Sequence, residues 1–94
     1  MLSFLKDRII DELNDAVLYM EKAVENKGKT CGVVMYSNSM DESKHANNLL
    51  KLFQSMEKPS TVTDAEYSAM KSAILDAYSE NMGKFEMLRK AYWS

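Results

Sequence analysis

The stretch Lys27-Gly28-Lys29-Thr30 decides the fold of this chain, because it separates two long segments that both have a helical pattern. Before it, apolar residues recur at steps of three and four, which is the spacing of an amphipathic helix. These residues are Leu5, Ile9, Leu13, Val17, Met20 and Val24. We predict a first helix over 3–26, which Gly28 ends by adopting a left-handed conformation. A connection this short between two long helices favours an antiparallel hairpin.

The second segment starts at Thr30, whose hydroxyl we expect to cap a helix over 30–57. Pro59 interrupts the helical pattern, because proline disfavours helix at the residue before it. The polar run 60–63 that follows consists mostly of hydroxyl residues, which prefer turns and helix caps. The second helix is therefore predicted to end just before Pro59.

The third helix has a clear start signal. Thr63 and Glu66 match a capping box, in which each side chain satisfies a backbone N–H of the other residue. A helix over 63–92 follows, with one apolar face that we expect to pack on the hairpin or on a second copy. This face consists of Tyr67, Met70, Ile74, Tyr78, Met82, Phe85 and Leu88. The sequence thus predicts one all-α domain over 1–94, a long helical hairpin with a third helix.

Length and composition limit the class of protein. A chain of 94 residues forms one domain and buries little of its surface, so a second copy is a plausible source of further core. Acidic and basic residues are mixed and sum to a net charge of −2, which offers no basic surface to nucleic acid. No uncharged stretch approaches the roughly 18 residues of a membrane span. Because Cys31 is the only cysteine, an intramolecular disulfide is impossible, and we expect a cytoplasmic protein. From the chain length we expect a homo-oligomer.

Three side chains with metal-ligand chemistry fall on apolar faces of the predicted hairpin. Glu42 and His45 lie three residues apart on a stripe of the second helix that also contains Met35, Asn38, Leu49, Leu52 and Met56. A Glu-x-x-His pair lets both side chains reach one ion from a single helical face. Glu12 lies on the inward line of the first helix. We therefore expect two carboxylates and one imidazole to face the core.

The hairpin places these side chains at one height. Glu12 is about 16 residues before Gly28 and Glu42 about 14 after it, so at about 1.5 Å of rise per residue they can share a site. Burying an unpaired carboxylate costs several kcal/mol, so each needs a partner, a proton or a metal. The candidate metal ligands are Glu12, Glu42 and His45. A hydrogen-bonded structural histidine is the alternative interpretation of His45.

The segment Glu42-Ser43-Lys44-His45-Ala46, with Leu49 after it, resembles the Glu-x-x-His-Ala-x-x-Leu helix of the rubrerythrins and other ferritin-like proteins. Glu12, followed by Tyr19 and Ala23, is similar to the first helix of that family. Together these segments cover roughly residues 1–57. The resemblance implies a ferritin-like four-helix bundle with a di-iron centre. In it Glu12 would be a terminal or bridging carboxylate, Glu42 a bridging carboxylate and His45 a terminal nitrogen ligand.

The chain departs from the family in carrying only one histidine, whereas typical members have a second Glu helix and a second Glu-x-x-His helix. Two copies related by a two-fold axis would supply four carboxylates and two imidazoles, which balance the charge of two divalent ions. The half-length encapsulated ferritins are similar in building their centre across a dimer interface. The resemblance thus implies a homodimer, or a multiple of a dimer, with two iron ions per dimer. Manganese and zinc are alternative metals.

The function implied by the resemblance is that of a ferroxidase, which oxidises Fe(II) with oxygen or peroxide as the acceptor. Carboxylate-rich ligation suits iron and manganese, but peroxidase and catalase activities would use the same ligands. The competing class is a non-enzymatic helical bundle whose third helix is a structural or partner-binding surface. Phe85, Tyr92 and Trp93, near the end of that helix, would suit such a surface.

Four further residues are candidates for supporting the site. Tyr19 and Tyr36 could lie beside it, although tyrosines on helix faces more often serve in packing. Asn38, one turn before Glu42, could hydrogen-bond a ligand carboxylate. Glu80 could be aligned with the third-helix ligand of the family, but the helical spacing places it nearly opposite the packing face of its own helix.

Overall fold

Three helices and two connections make up the chain in the computed structural model, which describes residues 1–94. The helices are α1 (Leu2–Glu25), α2 (Thr30–Ser55) and α3 (Asp64–Trp93), and there is no strand. α1 is the central helix, because α2 and α3 each pack along it while their own backbones stay apart. The predicted all-α fold, a long helical hairpin with a third helix, is confirmed. None of the three helices is long and apolar enough to cross a membrane.

The core runs along one face of α1. Its buried apolar residues are Leu2, Leu5, Ile9, Leu13, Ala16, Val17, Met20 and Ala23. Burying each large side chain contributes about 1.5–3 kcal/mol, so this face is the main source of stability. α3 supplies Ile74 and Phe85 as buried partners, and the rest of its predicted apolar face is half-buried. Of the two packing modes expected for α3, the structure has it covering its own hairpin.

The inner line of α2 consists mainly of small residues. Gly32, Ser39, Ala46 and Phe53 follow one another at intervals of seven residues, and all four are buried. Small side chains allow α1 to approach closely, and the Ser39 hydroxyl donates a hydrogen bond to the Ala16 carbonyl at 2.5 Å. A hydrophobicity pattern does not reveal this line, because close approach selects the residues by size.

The stripe of α2 that we predicted to face the core therefore lies on one flank of the helix. Met35 and Leu49 are half-buried, as is Glu42, but Leu52 and His45 are exposed. The expectation that His45 faces the core of the single chain was wrong. It lies at the edge of the hairpin, where a neighbouring chain or solvent can reach it.

The connection between α1 and α2 agrees with the prediction at Gly28 and departs from it at Thr30. Gly28 has a φ of 84°, in the left-handed region that favours glycine. The residue that caps α2 is Lys29, with extended backbone and no side-chain cap, and Thr30 is already the first helical residue. The predicted Thr30 cap was wrong, because the chain turns into the helix one residue earlier.

The start of α3 forms one half of the predicted capping box, because the Glu66 carboxylate bonds the Thr63 hydroxyl and not the Thr63 backbone N–H. The Thr63 hydroxyl accepts a hydrogen bond from the Glu66 N–H at 3.1 Å and donates one to the Glu66 carboxylate at 3.0 Å. α2 ends at Ser55, two residues before the predicted end, because Met56 is already extended. The helix boundaries otherwise lie within a residue of those predicted.

Aromatic contacts join α2 to α3 near the two ends of the bundle. Phe53 and Tyr67 stack with ring centroids 5.8 Å apart at one end, and Tyr36 and Tyr92 stack at 4.6 Å at the other. These contacts show which flank of the hairpin α3 covers. The flank of α2 that carries Glu42 and His45 lies on the other side and stays open.

The proposed aromatic partner surface of α3 is mostly buried. Phe85 and Tyr92 belong to the core, so they cannot serve as docking residues in this fold. Trp93 is exposed, although its Nε1 donates a hydrogen bond to the Tyr36 hydroxyl at 2.9 Å. Of the three aromatic residues suggested for the non-enzymatic alternative, only Trp93 is available to a partner.

Candidate metal centre

Glu12, Glu42 and His45 converge at the edge of the hairpin. One carboxylate oxygen of each Glu and one ring nitrogen of His45 all lie within 4.8 Å of one another. The His45 Nδ1 atom is 3.7 Å from Glu12 Oε2 and 3.9 Å from Glu42 Oε1. α1 supplies one of these ligands and α2 the other two, so the antiparallel packing of the hairpin creates the cluster.

The three side chains form a gradient from the interior to the surface. The Glu12 side chain is 8% exposed, that of Glu42 is 22% exposed and that of His45 is 57% exposed. Glu12 is enclosed between the packed helices, whereas the His45 ring projects toward solvent. The cluster is thus anchored at its inner end and open at its outer end, where further ligands can approach.

Arg8 is an additional member of the site that the sequence reasoning missed. Its Nη2 donates a hydrogen bond to Glu12 Oε1, and its Nη1 lies 3.8 Å from the Asp11 carboxylate. The spacing of four residues between Arg8 and Glu12 is that of a helical ion pair, and this signal could have revealed the contact. Arg8 therefore provides a positive charge directly beside the cluster.

One oxygen of the buried carboxylate has no partner. Glu12 Oε2 is shielded from solvent and accepts no hydrogen bond, while Oε1 is satisfied by Arg8. An unsatisfied buried acceptor costs about 1–3 kcal/mol, and more when it carries charge. This oxygen is also the one that faces His45. A cation placed between the two residues would satisfy it.

The donor set suits a divalent metal ion, and its spacing comes close to what one ion needs. Ligand atoms bound at about 2.1 Å in tetrahedral geometry lie about 3.4 Å apart. His45 Nδ1 lies 3.7 and 3.9 Å from the two carboxylates, and the three atoms lie within 4.8 Å of one another, so side-chain rotations would have to draw them together around an ion. Two carboxylates and an imidazole suit iron, manganese or zinc.

The other predicted site residues do not join the cluster. Tyr36 is occupied by its stack on Tyr92 and its hydrogen bond from Trp93, so it serves in packing. Tyr19 and Asn38 are half-buried and make no hydrogen bond to the cluster. Glu80 lies exposed on α3, where it accepts a hydrogen bond from Lys84 at 3.4 Å, away from the three candidate ligands.

The cluster lies within a larger surface that we call the open face. Helical spacing puts these residues on the sides of α1 and α2 that carry Glu12 and His45. The open face consists of Phe4, Arg8 and Tyr19 of α1 and Val34, Asn38, His45, Leu49 and Leu52 of α2. Phe4, Val34 and Leu52 are exposed large apolar side chains, and they lie on both sides of the cluster along the hairpin. The three candidate ligands are therefore bordered by apolar surface.

Comparisons with protein-family models, with curated proteins and with solved structures find no match to this chain. The fold and the site together define an all-α protein of three helices that carries a cluster of two carboxylates and one imidazole. Both the fold and the cluster are seen directly in the structure of residues 1–94.

Proposed function

We propose that this chain is a ferritin-like di-iron carboxylate protein in which two copies share one centre and oxidise Fe(II), with oxygen or peroxide as the acceptor. The observation that carries the proposal is the convergence of Glu12, Glu42 and His45 around an unpartnered buried oxygen. A buried carboxylate oxygen without a partner is costly, and a divalent cation would satisfy it. The oxygen points toward the only histidine of the chain.

A second copy is required by the number of ligands. One chain offers two carboxylates and one imidazole in the cluster, which is too few to hold two ions. Two copies facing each other across a two-fold axis offer four carboxylates and two imidazoles, the set found in di-iron bundles. With two divalent ions this set has no net formal charge. The paired hairpins would also form a four-helix bundle.

The open face supports this arrangement. The chain is a slender body of 52 × 18 × 15 Å, and only 17 of its 94 residues are buried, so a second copy can add substantial core. Phe4 and Leu52 are 59% and 46% exposed in the single chain. They would pack against the partner beside the metal centre and exclude water from it. Burying this apolar surface would offset part of the cost of bringing the carboxylates together.

Each ligand has a distinct task in the proposed centre. Glu12 would hold a metal ion from the interior of the hairpin, and Glu42 would contribute the second carboxylate from α2, in the role that the family resemblance gives to a bridging ligand. His45 contributes a neutral nitrogen ligand at the exposed end. Bound iron would supply the redox chemistry, in which oxygen or peroxide accepts the electrons from Fe(II).

The test is oxidation of Fe(II) by the intact protein, followed by oxygen consumption and by the absorbance of the ferric product. We expect the parent protein to oxidise Fe(II) faster than the buffer does, and the Glu42→Ala variant to lose this activity. Glu80→Ala is the matched control, because it removes an exposed glutamate that contacts only Lys84. Equal activity of parent and Glu42→Ala, or loss of activity in the control alone, would contradict the proposed centre.

A further inference from the structure

Arg8 binds the carboxylate of Glu12, for which a metal ion would compete. Its guanidinium donates a hydrogen bond to Glu12 Oε1, on the same carboxylate whose other oxygen faces His45. The guanidinium is always protonated and has no acceptor, so Arg8 cannot itself be a metal ligand. A divalent cation and Arg8 therefore compete for the charge of one buried carboxylate. They also repel each other across a distance of a few ångströms.

Arg8 also has a second acidic partner. Its Nη1 lies 3.8 Å from Asp11 Oδ2, and the Asp11 side chain is 61% exposed, whereas the Glu12 side chain is almost fully buried. Asp11 is one turn along the same helix from Arg8, but its carboxylate stays outside the cluster. The guanidinium can thus leave Glu12 by side-chain rotation and keep an ion pair at the surface.

We propose that Arg8 is a built-in counter-ion of the site, which pairs with Glu12 while no metal is bound and moves to Asp11 when a divalent cation takes Glu12. This inference rests on the proposed function, because it treats Glu12 as a ligand. Arg8 protects the metal-free chain from an uncompensated buried charge. The cost of displacing it lowers the affinity of the site, so only a cation that also gains Glu42 and His45 binds.

The test uses Co(II) as the probe, titrated into the full chain and followed by the visible absorbance of the bound ion. Arg8→Met removes the competitor, so we expect Co(II) to bind on the order of tenfold more tightly, equivalent to about 1.4 kcal/mol. We also expect the metal-free variant to melt at a lower temperature than the parent, because Glu12 loses its partner. Lys6→Met is the matched control, since it removes one positive charge from the same helix but breaks a pair with Asp7 instead.

A second variant tests the other position of Arg8. Asp11→Asn removes the surface partner, so Arg8 should stay on Glu12 and Co(II) should bind a few-fold more weakly. Asp7→Asn is its control, because it loses the same charge one turn earlier on α1 and is paired with Lys6. Asp11 is exposed, so this variant keeps its fold even if Arg8→Met does not.

The outcomes separate this inference from the proposed function. If the parent binds Co(II) and the Arg8→Met affinity equals that of Lys6→Met, Arg8 is not a competitor and the inference is wrong, while the metal site stands. The inference also fails if Asp11→Asn and Asp7→Asn bind Co(II) equally well. If the parent binds no Co(II), the metal site is wrong and the role of Arg8 is lost with it.

Discussion

Glu12 is the one charged residue that is buried within the single chain. Its two oxygens have different surroundings, since Arg8 satisfies one of them and the other has no hydrogen-bond partner. A residue whose only role was an ion pair with Arg8 could lie at the surface, where such pairs are easily formed. Its burial beside His45 is the residue-level reason to interpret the cluster as a metal site.

Glu42→Ala separates a functional glutamate from a structural one. The Glu42 carboxylate lies 3.9 Å from His45 Nδ1 and accepts no hydrogen bond that the substitution would remove. We therefore expect the melting temperature of the metal-free variant to stay within a few degrees of the parent, or to rise as negative charge leaves the cluster. Differential scanning calorimetry in the presence of a chelator measures this. A fall of many degrees would identify Glu42 as a structural ion-pair partner.

At the scale of single residues, the sequence predicted that Glu12, Glu42 and His45 come together. Their spacing on each helix and their equal distance from the turn can be counted from residue numbers alone. The sequence did not predict the exposure of His45, since the register of α2 against α1 depends on the small residues Ser39 and Ala46. The contact of Arg8 with Glu12 was also missed: their four-residue spacing is that of a helical ion pair, but the spacing alone does not show which rotamer the side chains adopt. Side-chain orientation is what the one-dimensional pattern lacks.

The close approach of the α1–α2 connection to α2 gives a prediction at the scale of elements. A Cβ on Gly32 would collide with the Asn26 carbonyl oxygen, whereas one on Gly83 of α3 would meet open space. We expect Gly32→Ala to lose about 1–3 kcal/mol through overpacking and Gly83→Ala to gain about 0.5–1 kcal/mol from helix propensity. Chemical unfolding of the two variants measures both changes. A Gly32→Ala protein as stable as Gly83→Ala would show that this connection is looser than described.

The attachment of α3 depends on a few buried side chains. Ile74 is 1% exposed and packs in the same cluster as Leu5, Ile9 and Phe53. Ile74→Asp places an unpaired charge there, so we expect a loss of several kcal/mol, comparable to the whole stability of a small domain. Leu75→Asp is the matched control on an exposed neighbour and should fold with a near-normal circular dichroism melt. If both variants fold equally well, α3 is not docked through Ile74.

The elements themselves were readily predicted, because each carries a strong local signal. The Thr63 cap of α3 and the left-handed conformation of Gly28 are both found in the structure at the predicted residues. The sequence could not decide whether α3 covers its own hairpin or a partner, since an apolar face does not specify its neighbour. Packing of α3 on α1 resolves that choice and leaves the flank of α2 with His45 uncovered.

At the scale of the whole molecule, the candidate metal cluster and the open face lie on the same side of the hairpin. In the proposed centre the cluster would supply half of the ligands for two metal ions, and exposed apolar residues border it on α1 and α2. In a metal-free dimer the clustered carboxylates would repel one another, whereas divalent ions would neutralise them. Metal binding and dimerisation should therefore be coupled: bound metal should raise the fraction of dimer, and dimerisation should raise the affinity for metal.

The most direct test of the central claim is the mass of the protein in solution, measured by analytical ultracentrifugation with and without Fe(II) in the absence of oxygen, together with the iron bound per chain. We expect Fe(II) to shift the parent protein toward a dimer that holds two iron ions, with no such shift in Glu42→Ala. A monomer that binds iron without any change of mass would contradict the shared centre. A parent protein that binds no iron would contradict the metal site itself.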